Sequence, residues 1–175
     1  SDYDPQGKFF LERYVAAHSI MISFEGIPAI YFNSLFGKSN DEAKYIITGN
    51  NRDVNRYKWN LKNITRKLSD KKTKQSIFYS NIANLLSIRR KQKAFHPNGK
   101  RYNINLGSKL FCFKRLSVDK KQLIICITNL SSKNQTTTLN KTLQNYKDLL
   151  NLKTKFKDKN FLTLKPFQTI WLSNI

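Results

Sequence analysis

The chain has 175 residues, 39% of them hydrophobic, with 32 Lys and Arg against 11 Asp and Glu, giving a formal charge of +21. That length buries a core and suits one domain or two small ones. No apolar run approaches the ~20 residues that span a bilayer, and residues 1–8 lack the basic start and apolar stretch of a secretory signal. The charge points first to polyanions. Yet lysines recur from Lys8 to Lys165 without a dominant cluster, in a chain rich in Asn, Lys and Ile. Codon usage favouring A and T produces that composition, so drift accounts for much of the charge, and a nucleic-acid partner is not the expectation.

In residues 6–24, Phe9, Phe10, Tyr14, Val15, Ala17, Ile20, Met21 and Phe24 recur at three- and four-residue steps. This spacing predicts a helix with a broad apolar face, ended by Gly26. Residues 27–32 are continuously apolar and of strand length, which predicts a strand buried on both faces, as in a parallel sheet. Residues 33–60 are rich in Asn, Gly, Lys and Asp and read as a long irregular loop. Loops of that length are usually functional. This one follows the C-terminal end of a strand, where barrels and open α/β sheets place their sites.

A second helix is predicted over 69–95, with Ser69 as its N-cap and Asp70 in its first turn. Ile77, Phe78, Ile82, Leu85, Leu86 and Ile88 form its stripe, and Arg89, Arg90, Lys91 and Lys93 meet the dipole of its last turns. Pro97, Asn98 and Gly99 stop it. Short β-branched and aromatic runs at 102–106, 109–115, 122–129, 135–139, 160–164 and 169–173 then predict a small antiparallel sandwich. Cys112 and Cys126 lie in two of these runs. They could face each other across a hairpin, although buried thiols suit a chain of this size better than a disulfide staple.

Residues with a chemical signature are few. Asp41, Glu42 and Asp53 are the acids of the long loop, and the adjacency of Asp41 and Glu42 keeps them from forming the opposed carboxyl pair of a glycosidase, ~5 Å apart in retaining enzymes. His18 lies on an apolar helix and reads as packed; His96, before Pro97, reads as a helix-end cap. No GxGxxG, P-loop, CxxC or HExxH motif occurs. The most informative string is 48–57, Thr-Gly-Asn-Asn-Arg-Asp-Val-Asn-Arg-Tyr, whose Arg52, Asp53, Asn55 and Arg56 suit hydroxyls or phosphate. A solvated loop with an Arg52–Asp53 or Asp53–Arg56 contact is the competing reading.

Taken together, Gly26-Ile27-Pro28-Ala29-Ile30-Tyr31, Ser34-Leu35-Phe36-Gly37 with Asn40-Asp41, and Thr48-Gly49 with Arg52-Asp53-Val54-Asn55-Arg56 resemble the sucrose-phosphorylase-like branch of the α-amylase superfamily. Ile88-Arg89-Arg90, Ala94-Phe95-His96-Pro97-Asn98 and the ending from Pro166 to Asn174 agree with it, so the resemblance covers nearly the whole chain. Glu25 and the lysine load depart from the pattern. The implied fold class is α/β plus β. Residues 1–96 would be the last part of a (β/α)8 barrel (helix, eighth strand, long loop, final helix), and 97–175 a small antiparallel C-terminal β-sandwich domain.

The resemblance also implies an activity. The parent protein would be a retaining hexosyl phosphorylase, moving a glucosyl unit between sucrose, sucrose 6-phosphate or glucosylglycerate and inorganic phosphate through a covalent glucosyl-aspartate. Phosphate would be the co-substrate, with no metal or other cofactor, in the cytoplasm and away from membranes. Arg52 would sit at the glucose subsite near the 4-hydroxyl, with Asp53, Asn55 and Arg56 shaping the loop. No catalytic residue would lie in this chain. The nucleophile, acid/base and transition-state carboxylates would come from a missing N-terminal barrel portion, leaving the chain inactive alone. The alternatives are a basic nucleic-acid-binding protein using Tyr57, Trp59 and Phe78, an inactive remnant, or an α-amylase-type hydrolase.

Overall fold

The structure is a computed structural model, and it describes residues 7–138, 143, 145–151 and 161–175. The chain divides into two compact units, one of Ser1–Pro28 with Leu85–Ile175 and the other of Ala29–Asn84. This division by compactness cuts across the boundary expected at residues 96 and 97.

The first unit is layered. Strands β1 (Lys100–Asn105), β2 (Leu110–Leu116), β3 (Leu123–Asn129), β5 (Lys147–Asp148) and β7 (Thr169–Ser173) form an antiparallel sheet in the order β1-β2-β3-β7-β5. β4 (Gln135–Thr138) and β6 (Phe161–Leu164) pair as a second sheet. The expected runs match these strands; residues 139 and 160, at the ends of two of them, and residue 6, at the start of the first helix, lie outside the described residues. β5 carries no apolar pattern and was not expected.

Leu110, Cys112, Ile125, Ile127, Leu162, Leu164, Ile170 and Leu172 fill one core cluster, drawn from both sheets. The other face of the large sheet carries Phe113, Arg115, Ile124, Cys126 and Trp171, all nearly inaccessible. Phe24, beyond the end of helix α1 (Phe10–Ser23), packs edge-on against Phe113, and Phe95 packs against Trp171. A sheet covered on both faces explains why β3 reads as a continuous apolar run although it is antiparallel.

Register settles the cysteines. Cys112 lies opposite Ile127 and Cys126 opposite Phe113. Alternation along β2 sends Cys112 and Phe113 to opposite faces, so the two thiols cannot face each other. Both are buried and free. Burial raises both thiols above their ordinary range, Cys112 to about 12.

α1 ends against two buried arginines. Arg89 donates to the carbonyls of Ile22, Phe24 (3.2 Å) and Gly26 (2.8 Å). Arg115, fully buried in β2, donates to Ser23 (2.8 Å), His96 (2.8 Å) and Gly99 (3.2 Å). The guanidinium carbons lie 5.6 and 5.8 Å from the Phe95 ring centre. Carbonyls that a helix end leaves unsatisfied thus receive charged donors at the negative end of its dipole. Gly99 passes so close that a Cβ would fall 3.1 Å from an Arg115 guanidinium nitrogen and 2.9 Å from the Ala94 carbonyl. Arg89 lies in the last turn of its own helix, as expected, and its guanidinium also serves the end of α1. Gln122 completes the seam, accepting from the Ala94 amide (2.9 Å) and donating to Gln92 (2.7 Å) and Ser173 (3.2 Å).

Three further expectations are corrected. Residues 27–31 form no strand, and Ile27 is 84% exposed. A strand exists only beside another backbone, and among the described residues neither sheet includes this segment. Residues 33–60 are not one irregular loop: α2 (Phe32–Leu35), α3 (Glu42–Thr48) and the 3₁₀ turn η1 (Asn51–Val54) occupy much of it. Ser69 does not start a helix but ends α4 (Leu61–Ser69), its hydroxyl donating to Arg66 (2.9 Å). The next helix, α5 (Lys74–Arg90), is capped by Thr73, whose Oγ1 accepts from the Ser76 amide (3.2 Å). A short 3₁₀ turn, η2 (Lys93–Phe95), follows it. Among the described residues no helix is long and apolar enough to cross a membrane.

Replacing Arg115 by Met keeps most of the volume and leaves the buried carbonyls of Ser23 and Gly99 without this donor, while the His96 carbonyl keeps the Gly99 amide. At about 1–3 kcal/mol per orphaned group, the expected loss of stability is about 2–6 kcal/mol. Urea denaturation measures it, and a loss below about 1 kcal/mol would show that the guanidinium is dispensable. A second prediction concerns acid. Asp119 accepts from the Ser117 hydroxyl (2.6 Å) and the Lys121 amide (3.1 Å) and pairs with Lys93 (3.4 Å). These contacts, the hydroxyl first, hold its pKa at about 2. A folded pKa below the unfolded value of ~3.9 means stabilisation at neutral pH that disappears as pH falls from about 4 to about 2. Asp119→Asn should therefore flatten the dependence of the urea midpoint on pH in that window; an unchanged acid slope contradicts the assignment.

Candidate functional site

The second unit, Ala29–Asn84, contains all four residues singled out as site candidates. Its centre is aromatic. Phe36 packs edge-on against Phe32 (5.2 Å between centroids) and Trp59 (5.5 Å), and stacks on Tyr79 (6.0 Å). Tyr57 meets Trp59 edge-on at 4.9 Å, with the Lys38 ammonium 4.6 Å from its centroid. Beside Phe36, Gly37 has φ +57°, and a Cβ there would lie 2.6 Å from the Phe78 ring. Both facts call for glycine at the end of the Ser34-Leu35-Phe36-Gly37 string. Phe78 is 2% exposed and Trp59 half-buried, so these rings are packed and do not form an open stacking platform.

The loop that carries Arg52 is organised through its backbone. Asp41 caps α3 by accepting from the Lys44 amide (3.1 Å), and its own amide donates to the Val54 carbonyl (2.6 Å). Gly49 closes α3 in the left-handed conformation, its amide donating to Tyr45 (2.8 Å). The Asn50 side chain then accepts from the Arg52 amide (3.0 Å) and opens η1. Downstream, the Asn55 carbonyl accepts from the Tyr31 hydroxyl (2.9 Å) and from the Asn33 amide group (2.8 Å). Asn33 also donates to the Tyr57 carbonyl (3.1 Å) and accepts from the Trp59 indole (2.8 Å). It is 6% exposed.

The four candidates therefore share one turn but differ in circumstance. Arg52 is exposed, and among the described residues its guanidinium makes no hydrogen bond or ion pair. Asp53 pairs with Lys44 at 3.3 Å, not with Arg52 or Arg56. Its carboxyl is held below its ordinary range, first by the Thr48 hydroxyl and then by Lys44. Asn55 acts through its carbonyl. Arg56 is exposed, near enough to Asp53 for its charge to contribute to that lowering. Asn33 escaped the sequence reading, because a lone asparagine between Phe32 and Ser34 has no spacing to mark it. α4 had a legible signal: Asn60 caps it, accepting from the Asn63 amide (3.1 Å), ahead of Leu61, Ile64 and Leu68.

The histidines offer no catalytic pairing. His18 Nδ1 donates to the Tyr14 carbonyl (2.9 Å), its ring lies 4.1 Å from that of Tyr14, and burial lowers its pKa. His96 is exposed and accepts from the Asn98 amide (3.2 Å). Among the described residues no three His, Cys, Asp or Glu side chains gather into a possible metal site.

No family model matches the chain. Its fold is shared with enzymes of the α-amylase superfamily. A MutB mutant solved with glucose superposes with a TM-score of 0.72 at 16% identity, over 97% of this chain and 40% of that one. AmyP solved with maltose gives 0.68 at 17%, over 97% and 36%. At the level of sequence, the glucosylglycerate phosphorylase of Escherichia coli is 32% identical over 167 residues, 91% of this chain. The glucosylglycerate phosphorylase of Spirochaeta thermophila is 30% identical over 119 residues, 68% of it. The chain belongs to the sucrose-phosphorylase-like branch of the α-amylase superfamily. It spans 28% and 20% of the length of these two relatives.

Gly37→Ala tests the packing under the site. A left-handed backbone costs an L-residue about 1–2 kcal/mol, and overpacking adds about 1–3, so a loss of about 2–5 kcal/mol is expected. An unchanged thermal midpoint would contradict it.

Proposed function

We propose that the whole protein is a glucosyl phosphorylase that takes glucosylglycerate and inorganic phosphate to glycerate and glucose 1-phosphate, with retention at the anomeric carbon. The observation that carries this reading is the 32% identity to a glucosylglycerate phosphorylase across 91% of the chain. Residues 1–96 then belong to the end of a (β/α)8 barrel, and residues 97–175 form the C-terminal β domain.

Retention needs a nucleophile and an acid/base, carboxyls about 5 Å apart. Asp41 caps a helix and Asp53 is paired with Lys44, so we place both catalytic groups, and the carboxylate that stabilises the transition state, in the remainder of the protein. Arg52 is assigned to the glucose subsite. An exposed, unpaired guanidinium on a backbone held at both ends can donate to sugar hydroxyls without first breaking an ion pair. Asp53, Asn55 and Arg56 shape the loop. Phosphate is a co-substrate and no cofactor is invoked; the reaction is assigned to the cytoplasm, where phosphate and glucose 1-phosphate are handled.

The test is glucose 1-phosphate release by the full-length protein from glucosylglycerate and phosphate, against sucrose and sucrose 6-phosphate as alternatives. Release from glucosylglycerate is expected, and none from any of the three overturns the reading. Arg52→Ala should lower kcat/KM about 10- to 100-fold, the loss of a charged hydrogen bond of about 1.5–3 kcal/mol. Its circular dichroism and melting should match the parent. Equal activity removes Arg52 from the subsite.

A further inference from the structure

Nothing attached to the Arg52 side chain fixes where it points. Its orientation depends on the backbone of residues 50–57, and the downstream half of that backbone hangs on one buried side chain. Asn33 spends both amide hydrogens on the carbonyls of Asn55 (2.8 Å) and Tyr57 (3.1 Å), and its oxygen takes the Trp59 indole (2.8 Å). The orientation of the amide is unambiguous, since carbonyls only accept and an indole N–H only donates. Tyr31 adds a second, exposed donor to the same Asn55 carbonyl (2.9 Å). On the upstream side the Asp41 amide holds Val54. Apart from the Trp59 indole, which anchors Asn33 itself, each of these bonds is to a backbone carbonyl of the Arg52–Tyr57 stretch, and none touches the Arg52 guanidinium.

We propose that Asn33 is a positioning residue for the sugar subsite, holding the turn that presents Arg52; this rests on the function proposed above. One side chain, 6% exposed, carries these three bonds and a longer one to the Tyr31 hydroxyl (3.5 Å). A bond to each carbonyl flanking Arg56 restrains the turn against sliding. Displacing a binding group by about 1 Å can cost on the order of 100-fold in rate, so loss of the clamp should read out in kinetics.

The experiment is a double-mutant cycle in the full-length enzyme. Asn33→Asp keeps the size and the acceptor for Trp59, but sets an oxygen against two carbonyls. It should raise KM for the glucoside and lower kcat/KM about 10-fold or more. In an Arg52→Ala background the same change should cost less than about 2-fold, because residues acting as a unit are not additive. Tyr31→Phe, which removes only the exposed bond to Asn55, should show the same pattern at about 2- to 5-fold and carries the test if Asn33→Asp does not fold. Penalties that multiply in the double variants, or lowered melting with unchanged kinetics, overturn the inference while leaving the proposed function standing. A parent enzyme that releases no glucose 1-phosphate overturns both.

Discussion

The C-terminal end of α1 meets two guanidinium groups, and the layering of the first unit depends on that meeting. A helix leaves its last carbonyls without partners and carries a partial negative charge there. Here Ile22, Ser23, Phe24 and Gly26 present carbonyls to Arg89, from the end of α5, and to Arg115, from the middle of β2. Neither arginine has a carboxylate partner among the described residues; the nearby Glu25 pairs with Arg101 at 3.4 Å. Burial lowers the pKa of both, and for Arg115 the charge of Arg89 lowers it further. Carbonyl acceptors, the helix dipole and the face of Phe95 compensate two charges that would otherwise be expensive to bury. Because the acceptors come from α1, from the turn after η2 and from Gly99, one cluster joins helix, turn and sheet.

The second unit solves a different problem with smaller forces. It must hold a turn open to solvent and still keep it in one shape. The aromatic group around Phe36 supplies the apolar anchor, and the Gly37 backbone fits beneath Phe78 where no side chain would. The turn itself is held almost entirely through main-chain atoms, by Asp41, Asn50, Asn33 and Tyr31. Asp53 is occupied by Lys44. Arg52 is left as a cation without a competing partner, the condition for binding a neutral, hydroxyl-rich ligand or one bearing phosphate. Rigidity and availability here have separate sources: hydrogen bonds to carbonyls supply the first, and the pairing of Asp53 with Lys44, which leaves Arg52 without a carboxylate partner among the described residues, supplies the second.

Much of this architecture was legible. Short β-branched and aromatic runs set between turn residues located six strands, because that composition is carried by each strand's own side chains. The apolar steps of α1 did the same. The sugar-enzyme relationship was legible in the Gly-Ile-Pro and Arg-Asp-Val-Asn-Arg strings. Less legible were α3 and η1, since they bury little and rest on Asp41 and Asn50 caps in a stretch whose polar composition reads as loop. The reading of Ser69 as a start and not an end failed because serine serves both purposes, and Thr73 stood four residues further on to take the role.

By itself the sequence determined where apolar faces lie, which strands form, and which turn carries the arginines, since these follow from local pattern and side-chain chemistry. Tertiary structure alone decided what the polar side chains do. Arg89 and Arg115 cap a helix remote in the chain, Asn33 ties down carbonyls more than twenty residues away, and Cys112 and Cys126 are kept apart by register. It also decided that residues 27–31 are no strand among the described residues, because a strand is a property of two backbones and no run of apolar side chains can supply the second.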